Sequence, residues 1–481
     1  MSVNRDAIAR QVPDIERLAS EHLGDRTHKG NGVESDQENI IGEELTDLGN
    51  ARRLVRRHGE NLRYSNQTGW MFWDGRRWCK DDIGAVGRYA KDAVRAIYIE
   101  AADCLDKDMA ERIATHATRS QSDSKIRAMI AQAKTEIEIV VRHEELDRDL
   151  WLLNALNGTL NLKTGELQPH KREDLITRLV PAVYDPDAQC PTWLKFLDRI
   201  TGGNPDLISF LQRAVGYCLT GSTREQCFFV LYGTGANGKS TFLIAVLWLL
   251  ADYAMQTRTE TLLVKRGDQI PNDIARLAGA RFVSAVETES GRTLAEGLVK
   301  QMTGGDRMTA RFLHHEYFDF EPTFKLWLAV NHKPRVVGTD HAIWRRIRLI
   351  PFTVTIPESE QDPDLREKLK RELPGILAWA VTGCQLWQDH GLKAPDIIKA
   401  ATQEYQKDSD VIASFIEECC NTRPDNKVGK AELYSAYTEW CKKSGEYAAS
   451  KKEFGMRLIE KNFSDGRTDK GRFWTGIEIK E

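Results

Sequence analysis

The chain has 481 residues, and that length predicts about three domains rather than one hydrophobic core. Hydrophobic residues at 41% and charged residues at 29% are the balance of a globular protein, which excludes a fibrous or wholly disordered chain. A formal net charge of -3 excludes a bulk polycation, so any nucleic acid must be met by local basic patches.

Residues 1–48 are polar, with a short helix expected over Arg5–Leu23, then a flexible stretch and no apolar run of signal-peptide length. Asn50 is the expected cap of a helix over Ala51–His58. Trp70 to Trp78 reads as a hairpin turning at Asp74-Gly75. Residues 84–146 have helical periodicity, and Leu160 to Leu167 reads as a second hairpin. The stretch Pro181–Pro191 is a linker, and 192–220 a helical lead-in.

From Gln226 the pattern changes. Apolar runs at 227–232, 282–286, 326–330 and 347–352 suit strands buried on both faces, and helical stretches between them imply an α/β core. Helices follow to about residue 420, Thr422 to Asn426 is a break, and 427–481 reads as two helices and a basic hairpin through Asp465-Gly466. No segment approaches the roughly 20 apolar residues that span a bilayer. The candidate at Phe242–Tyr253 is better read as a buried helix. Nine cysteines without CxxC or metal spacing fit a reducing cytosol.

The first strand runs into Gly233-Thr234-Gly235-Ala236-Asn237-Gly238-Lys239-Ser240-Thr241, a GxxxxGK[ST] loop between an apolar strand and an apolar helix. Its glycines let backbone N–H groups converge on a phosphate, Lys239 brings positive charge to the β- and γ-phosphates, and Ser240 offers a hydroxyl to Mg²⁺. Such a loop identifies ATP or another nucleoside triphosphate, not a task. The second strand ends in Glu287-Thr288-Glu289, placed to hold Mg²⁺ and polarise water. Glu287 is assigned to the metal side and Glu289 nearer the water, although the two are exchangeable. Asn331 follows the third strand and is placed to sense the γ-phosphate. Lys300, Arg307, Arg311, His314 and His315 flank or cap a hairpin able to meet a phosphodiester backbone. Arg345 and Arg346, leading into the last strand, suit an arginine finger reaching a neighbouring subunit, with the choice between them open.

This ordered set resembles the superfamily 3 helicases, and within them the phage and plasmid primase-helicase group that includes satellite-phage and poxvirus proteins. Gly49 to Val55, Trp73 to Trp78 and Leu156 to Leu162 are similar to that group's helicase-preceding domain. The resemblance implies an AAA+ core, a hexameric ring with ATP and Mg²⁺ between subunits, 3′-to-5′ movement on single-stranded or forked DNA, and His314 and His315 in the channel. It also implies a cytoplasmic setting in a bacterial or phage-infected cell. No paired-carboxylate polymerase motif accompanies it, so a separate primase is expected. The expected division is a flexible segment at 1–48, an associated domain at 49–190, the AAA+ domain at 191–395, a helical connector at 396–426, and a winged-helix-like domain at 427–481. In the last, Lys451, Lys452, Arg457 and Arg472 form a basic face for duplex DNA or for subunit packing. Two other readings stay open: an origin-binding initiator, and an oligomeric switch without motor activity.

Overall fold

The computed structural model describes residues 44–264, 272–286, 292–312, 316–338, 341–468 and 471–480. The helix expected over Arg5–Leu23 lies outside them.

The first described helix, α1 (Asp47–His58), starts earlier than the sequence pattern predicts. Thr46 is its cap, with Oγ1 accepting from the Gly49 amide at 3.1 Å. Asn50 is instead fully buried, donating to Ser120 Oγ at 2.9 Å and paired with His116 Nε2 at 2.8 Å. A buried amide needs such partners more than a helix end needs a second cap. The antiparallel sheet of β1 (Leu62–Ser65), β2 (Gly69–Trp73) and β3 (Trp78–Lys80) comes next. Asp74 shapes the expected turn by accepting from the Arg76 and Arg77 amides, both at 2.8 Å. The helical stretch resolves into α2 (Ala85–Asp103), α3 (Lys107–Ser120) and α4 (Asp123–Ala133); α2 and α4 close a small core around Leu54, Val94 and Met129, and α3 packs Ile113 and Ala117 against Ile97.

A second sheet, β4 (Leu152–Ala155), β5 (Gly158–Asn161) and β6 (Glu166–Gln168), belongs with the downstream half of the chain. Its Leu153 and Leu160 share one hydrophobic core with Trp193, Phe242 and Trp327. The single domain expected at 49–190 is therefore divided by its packing. Helices α5 (Pro191–Thr201) and α6 (Pro205–Leu219) lead into β7 (Phe228–Tyr232), α7 (Lys239–Leu250), β8 (Ala254–Gln256), α8 (Asn272–Ala275) and β9 (Phe282–Val286). Then come α9 (Glu296–Gly304), the hairpin β10 (Met308–Ala310) and β11 (Phe318–Phe320), β12 (Lys325–Val330), α10 (His341–Trp344) and β13 (Ile347–Pro351). The large sheet is all parallel, in the order β13-β7-β12-β9-β8. It puts the phosphate-loop strand between two later strands, the AAA+ arrangement that the resemblance implied. Four of its strands coincide with the apolar runs; β8, only three residues long, carries too little pattern to be read.

Helices α11 (Leu365–Arg371), α12 (Leu373–His390) and α13 (Asp396–Ser409) cover the sheet. Helices α6 and α12 cross at backbone contact: a Cβ on Gly216 would lie 2.1 Å from the Cys384 nitrogen, and one on Gly383 2.1 Å from the Gln212 carbonyl oxygen. Any larger residue at either position would force the helices apart.

The C-terminal unit comprises α14 (Val411–Cys419), β14 (Cys420–Asn421), β15 (Lys427–Gly429), α15 (Lys430–Ser444), α16 (Lys451–Glu460), β16 (Ser464–Thr468), β17 (Gly471–Thr475) and β18 (Glu478–Ile479). Its core joins Ile412 and Phe415 to Tyr437, Phe454 and Trp474, so it begins at Val411, not at the expected residue 427. Two helices and then a β16–β17 wing give the expected winged-helix form. Asp465-Gly466 is within β16, not at the turn, because the register pairs Thr468 with Gly471. Among the described residues no helix is long and apolar enough to cross a membrane.

Candidate functional site

The phosphate loop links β7 to α7, a helix apolar on all sides and buried under the sheet. Gly238, at the N-terminal cap of α7, has φ +84°, and a Cβ there would lie 2.4 Å from Ile200 Cγ2. Left-handed backbone and close packing against α5 both require glycine. Ala236 holds φ +46° despite having a side chain, and its carbonyl accepts from the Ile356 amide at 2.7 Å. A non-glycine residue in this region is a strained conformation fixed by its surroundings.

Lys239 is 5% exposed. Its Nζ donates to the Gly233 carbonyl at 2.6 Å and to Asn237 Oδ1 at 3.0 Å, while Asn237 Nδ2 donates to the Phe352 carbonyl at 3.2 Å. Burial lowers the lysine pKa. Both of those acceptors are neutral, so they orient the ammonium without cancelling its charge, an arrangement that suits an anion. A cavity of about 300 Å³ opens here, lined by Gly235, Asn237, Lys239, Ser240, Val286 and Asn331. Thr234, Ala236 and Ser240 are exposed around the loop, and Thr241 is half-buried. Parallel strands bring these parts together: α7 starts after β7, Val286 ends β9, and Asn331 follows β12. Glu287 and Glu289 come directly after Val286 and lie outside the described residues.

The two arginines differ sharply. Arg346 is 8% exposed; its Nε donates to Thr303 Oγ1 at 3.2 Å and its Nη1 to the Ala342 carbonyl at 2.6 Å. Arg345 is exposed, and its Nη2 donates to Gln226 Oε1 at 2.8 Å. Both precede β13, whose Ile347 is paired with Phe228 at the start of β7. The phosphate loop leaves the other end of that strand, about 16 Å away at the rise of a parallel strand. Arg345 thus stands at the far end of the sheet from its own chain's cavity.

Lys300 is half-buried on α9, and the hairpin after it is flanked by exposed Arg307 and carries half-buried Arg311. Its tip residues, His314 and His315, lie outside the described residues. Two aromatics beside them escaped the sequence-based assignment: Phe312, 42% exposed and stacked on Phe318 at 5.6 Å, and Tyr317, 56% exposed with the Arg311 guanidinium 4.9 Å from its ring. Aromatics beside arginine at a hairpin tip are able to stack on bases, and their interleaving with Arg311 was the available signal.

On the C-terminal unit, Lys451, Lys452 and Arg472 are exposed. Arg457 is not part of that face. Its side chain is 11% exposed, donates to the Val337 carbonyl, and pairs with Glu453 at 2.8 Å. The outward side of α16 adds Met456, 50% exposed, and Ile459, 57% exposed, so it is mixed rather than purely basic.

Similarity to known proteins runs across the packing division near β4. Residues 51–202 match the family described as D5 N terminal like, and residues 407–476 match poxvirus D5 protein-like. "Putative helicase L207/L206" of Acanthamoeba polyphaga mimivirus is 29% identical over 325 residues, 62% of this chain and 33% of that protein. "Putative helicase 022R" of Frog virus 3 is 29% identical over 271 residues, 51% of this chain and 27% of that protein. The chain therefore spans about a third of the length of these relatives. Among solved structures, the apo C-terminal region of NrS-1 is similar at 8% identity and TM-score 0.48, covering 91% of this chain and 100% of that one. On either side of the phosphate-loop sheet, the chain is thus similar to an N-terminal and a C-terminal part of D5-type proteins.

Proposed function

We propose that this chain is an ATP-dependent replicative DNA helicase that works as a ring of identical subunits, each ATP site being completed by a neighbour. The observation that carries this reading is the separation of Lys239 and Asn331, at one end of the sheet, from exposed Arg345 at the other. A subunit so built presents a phosphate cradle on one side and an exposed guanidinium on another, which head-to-tail packing brings together. Lys239 and the loop amides bind the triphosphate, and Asn331 orients the water. Arg345 stabilises transition-state charge across the interface. Ser240 and Glu287 would hold Mg²⁺, which supplies charge neutralisation at the β- and γ-phosphates. The hairpin with Arg307, Arg311, Phe312 and Tyr317 grips single-stranded DNA, and Lys451, Lys452 and Arg472 offer a basic edge to duplex at a fork. Ring size of six, 3′-to-5′ polarity and a separate primase belong to the same proposal.

Purified protein should hydrolyse ATP faster with single-stranded DNA and displace an annealed strand from a fork. ATP hydrolysis indifferent to DNA, with no strand displacement, would instead favour a non-motor switch. Site-specific duplex binding lost on removal of 411–481 would favour the initiator reading.

A further inference from the structure

The segment immediately after Asn331 is held by five elements. Lys333 Nζ is 3.0 Å from Asp408 on α13, and the Tyr405 hydroxyl, also on α13, donates to the Pro334 carbonyl. Arg335 shares backbone hydrogen bonds with Arg292 and Leu294, each at 2.9 Å. Glu296 Oε1, at the start of α9, accepts from the Val337 and Gly338 amides, both at 2.7 Å. The Gly338 carbonyl accepts from Trp344 Nε1, on α10, at 2.9 Å. From the C-terminal unit, Arg457 donates to the Val337 carbonyl, and the Tyr447 carbonyl accepts from Arg335 Nη2 at 3.2 Å.

This strap thus touches the helix that leads to the DNA hairpin, the helix that leads to Arg345, and the winged-helix unit. Its start is Asn331, which lines the phosphate cavity. Val337 is gripped on both sides, its N–H by α9 and its carbonyl by α16. We propose that Arg457 is a positioning residue: from the C-terminal unit it fixes the strap so that Asn331 faces the cavity, making ATP turnover depend on the docking of that unit. The proposal rests on the ATPase reading. Arg457 touches no nucleotide; it acts through Val337. Its partner Glu453, one helical turn earlier, keeps the guanidinium aimed. Anything that binds α16 and draws Arg457 off Val337 would slow hydrolysis without competing for ATP.

The test compares Arg457→Ala and Arg457→Lys with wild type in the full chain, measuring ATP turnover with single-stranded DNA and amide hydrogen exchange. Arg457→Ala should lower kcat about tenfold with KM for ATP changed less than about twofold, since a transition-state group is misplaced while the phosphate cradle is intact. Amides of 331–338 should exchange about tenfold faster, while those of Phe228–Tyr232 should not. Arg457→Lys keeps a donor and should recover most of both. Glu453→Gln loosens the guanidinium without removing it and should shift both readouts the same way by less; it decides the matter if Arg457→Ala does not fold. Unchanged kcat and exchange in Arg457→Ala, or in Glu453→Gln where that variant decides, overturns the proposal. So does a kcat loss that only tracks the folded fraction. A wild-type protein without ATPase activity would sink the functional reading instead, and the exchange arm would still decide whether Arg457 holds the strap.

Discussion

The two ends of the central sheet are built on opposite principles. At the C-terminal ends of the strands, Lys239, Ser240 and Asn331 surround an open cavity, and the lysine's acceptors are neutral. At the N-terminal ends the cations are sealed in. Arg281, at the foot of β9, donates to the Leu219 carbonyl at 2.5 Å and the Leu152 carbonyl at 2.8 Å, with its guanidinium 4.5 Å from the Tyr253 ring. Lys325, at the foot of β12, donates to the Thr220 carbonyl, to that of Ser222 at 3.3 Å and to that of Thr323 at 3.2 Å. Two of these carbonyls, of Leu219 and Thr220, end α6, where the helix dipole favours positive charge. At one end a buried cation faces an open cavity; at the other, buried cations fasten a helix and the β4–β6 sheet. Arg345, unlike Arg281 and Lys325, leaves the sealed end for solvent.

The contrast is tested most severely at Lys239. Lys239→Ala should abolish measurable turnover, a loss of at least about 10³-fold, because the cradle loses the charge that the transition state needs. Thermal unfolding should change little, since the ammonium bonds to the loop's own residues. Retained turnover would mean the cavity is not the catalytic site. Next in size, Arg345→Ala should cost about 10³-fold in kcat, the lower range for an arginine finger. It should also poison mixed rings when added to wild type, with its own melting temperature preserved. Arg346→Ala should behave in the reverse way: a destabilisation of about 1–3 kcal/mol from the lost contacts to Thr303 and Ala342, seen in urea unfolding. Equal kinetic losses in both variants, with both fully folded, would break the distinction.

A smaller effect is expected at the hairpin. Phe312→Ala and Tyr317→Ala should each weaken single-stranded DNA binding by about 1–3 kcal/mol, the worth of a base stack, with basal DNA-free hydrolysis retained. Fluorescence anisotropy at fixed salt measures it, and unaltered affinity in the double variant would remove the aromatics from the DNA path.

How much of the fold and the site was legible depends on how local each signal is. The GxxxxGK[ST] loop and the four apolar runs fold by their own chemistry, and the structure has them where the residues pointed. Asn331 was legible because a strand end fixes its neighbour. Which of Arg345 and Arg346 is exposed was not, because a one-residue step after a short helix decides which side chain is buried, and that depends on Thr303 in another element. Arg457 reads as basic surface in the sequence because its partner, Val337, is 120 residues away. Asn50 reads as a cap for the same reason: Ser120 is 70 residues distant. The start of the C-terminal unit at Val411 was hidden because the Thr422–Asn426 break is a turn inside the unit rather than a boundary.

The sealed end makes a prediction of its own, read in stability rather than turnover. Burial pushes Lys325 down to about 7, below the roughly 10.4 of an unfolded lysine. Between those values the unfolded chain holds a proton that the folded chain lacks, so raising the pH through this window stabilises the fold. The contribution has a slope of up to about 1.4 kcal/mol per pH unit. Lys325→Met removes the titrating group, and urea unfolding of both proteins at several pH values from about 7 to about 9 should show the wild type gaining on the variant as pH rises. Parallel pH profiles would mean that the carbonyls of Thr220, Ser222 and Thr323, with the Tyr217 ring 4.7 Å from the nitrogen, keep the ammonium charged even at full burial. Lys325 would then join Arg281 as a permanent positive charge, and the two ends would differ in whether the charge is enclosed by carbonyls or opens on a cavity.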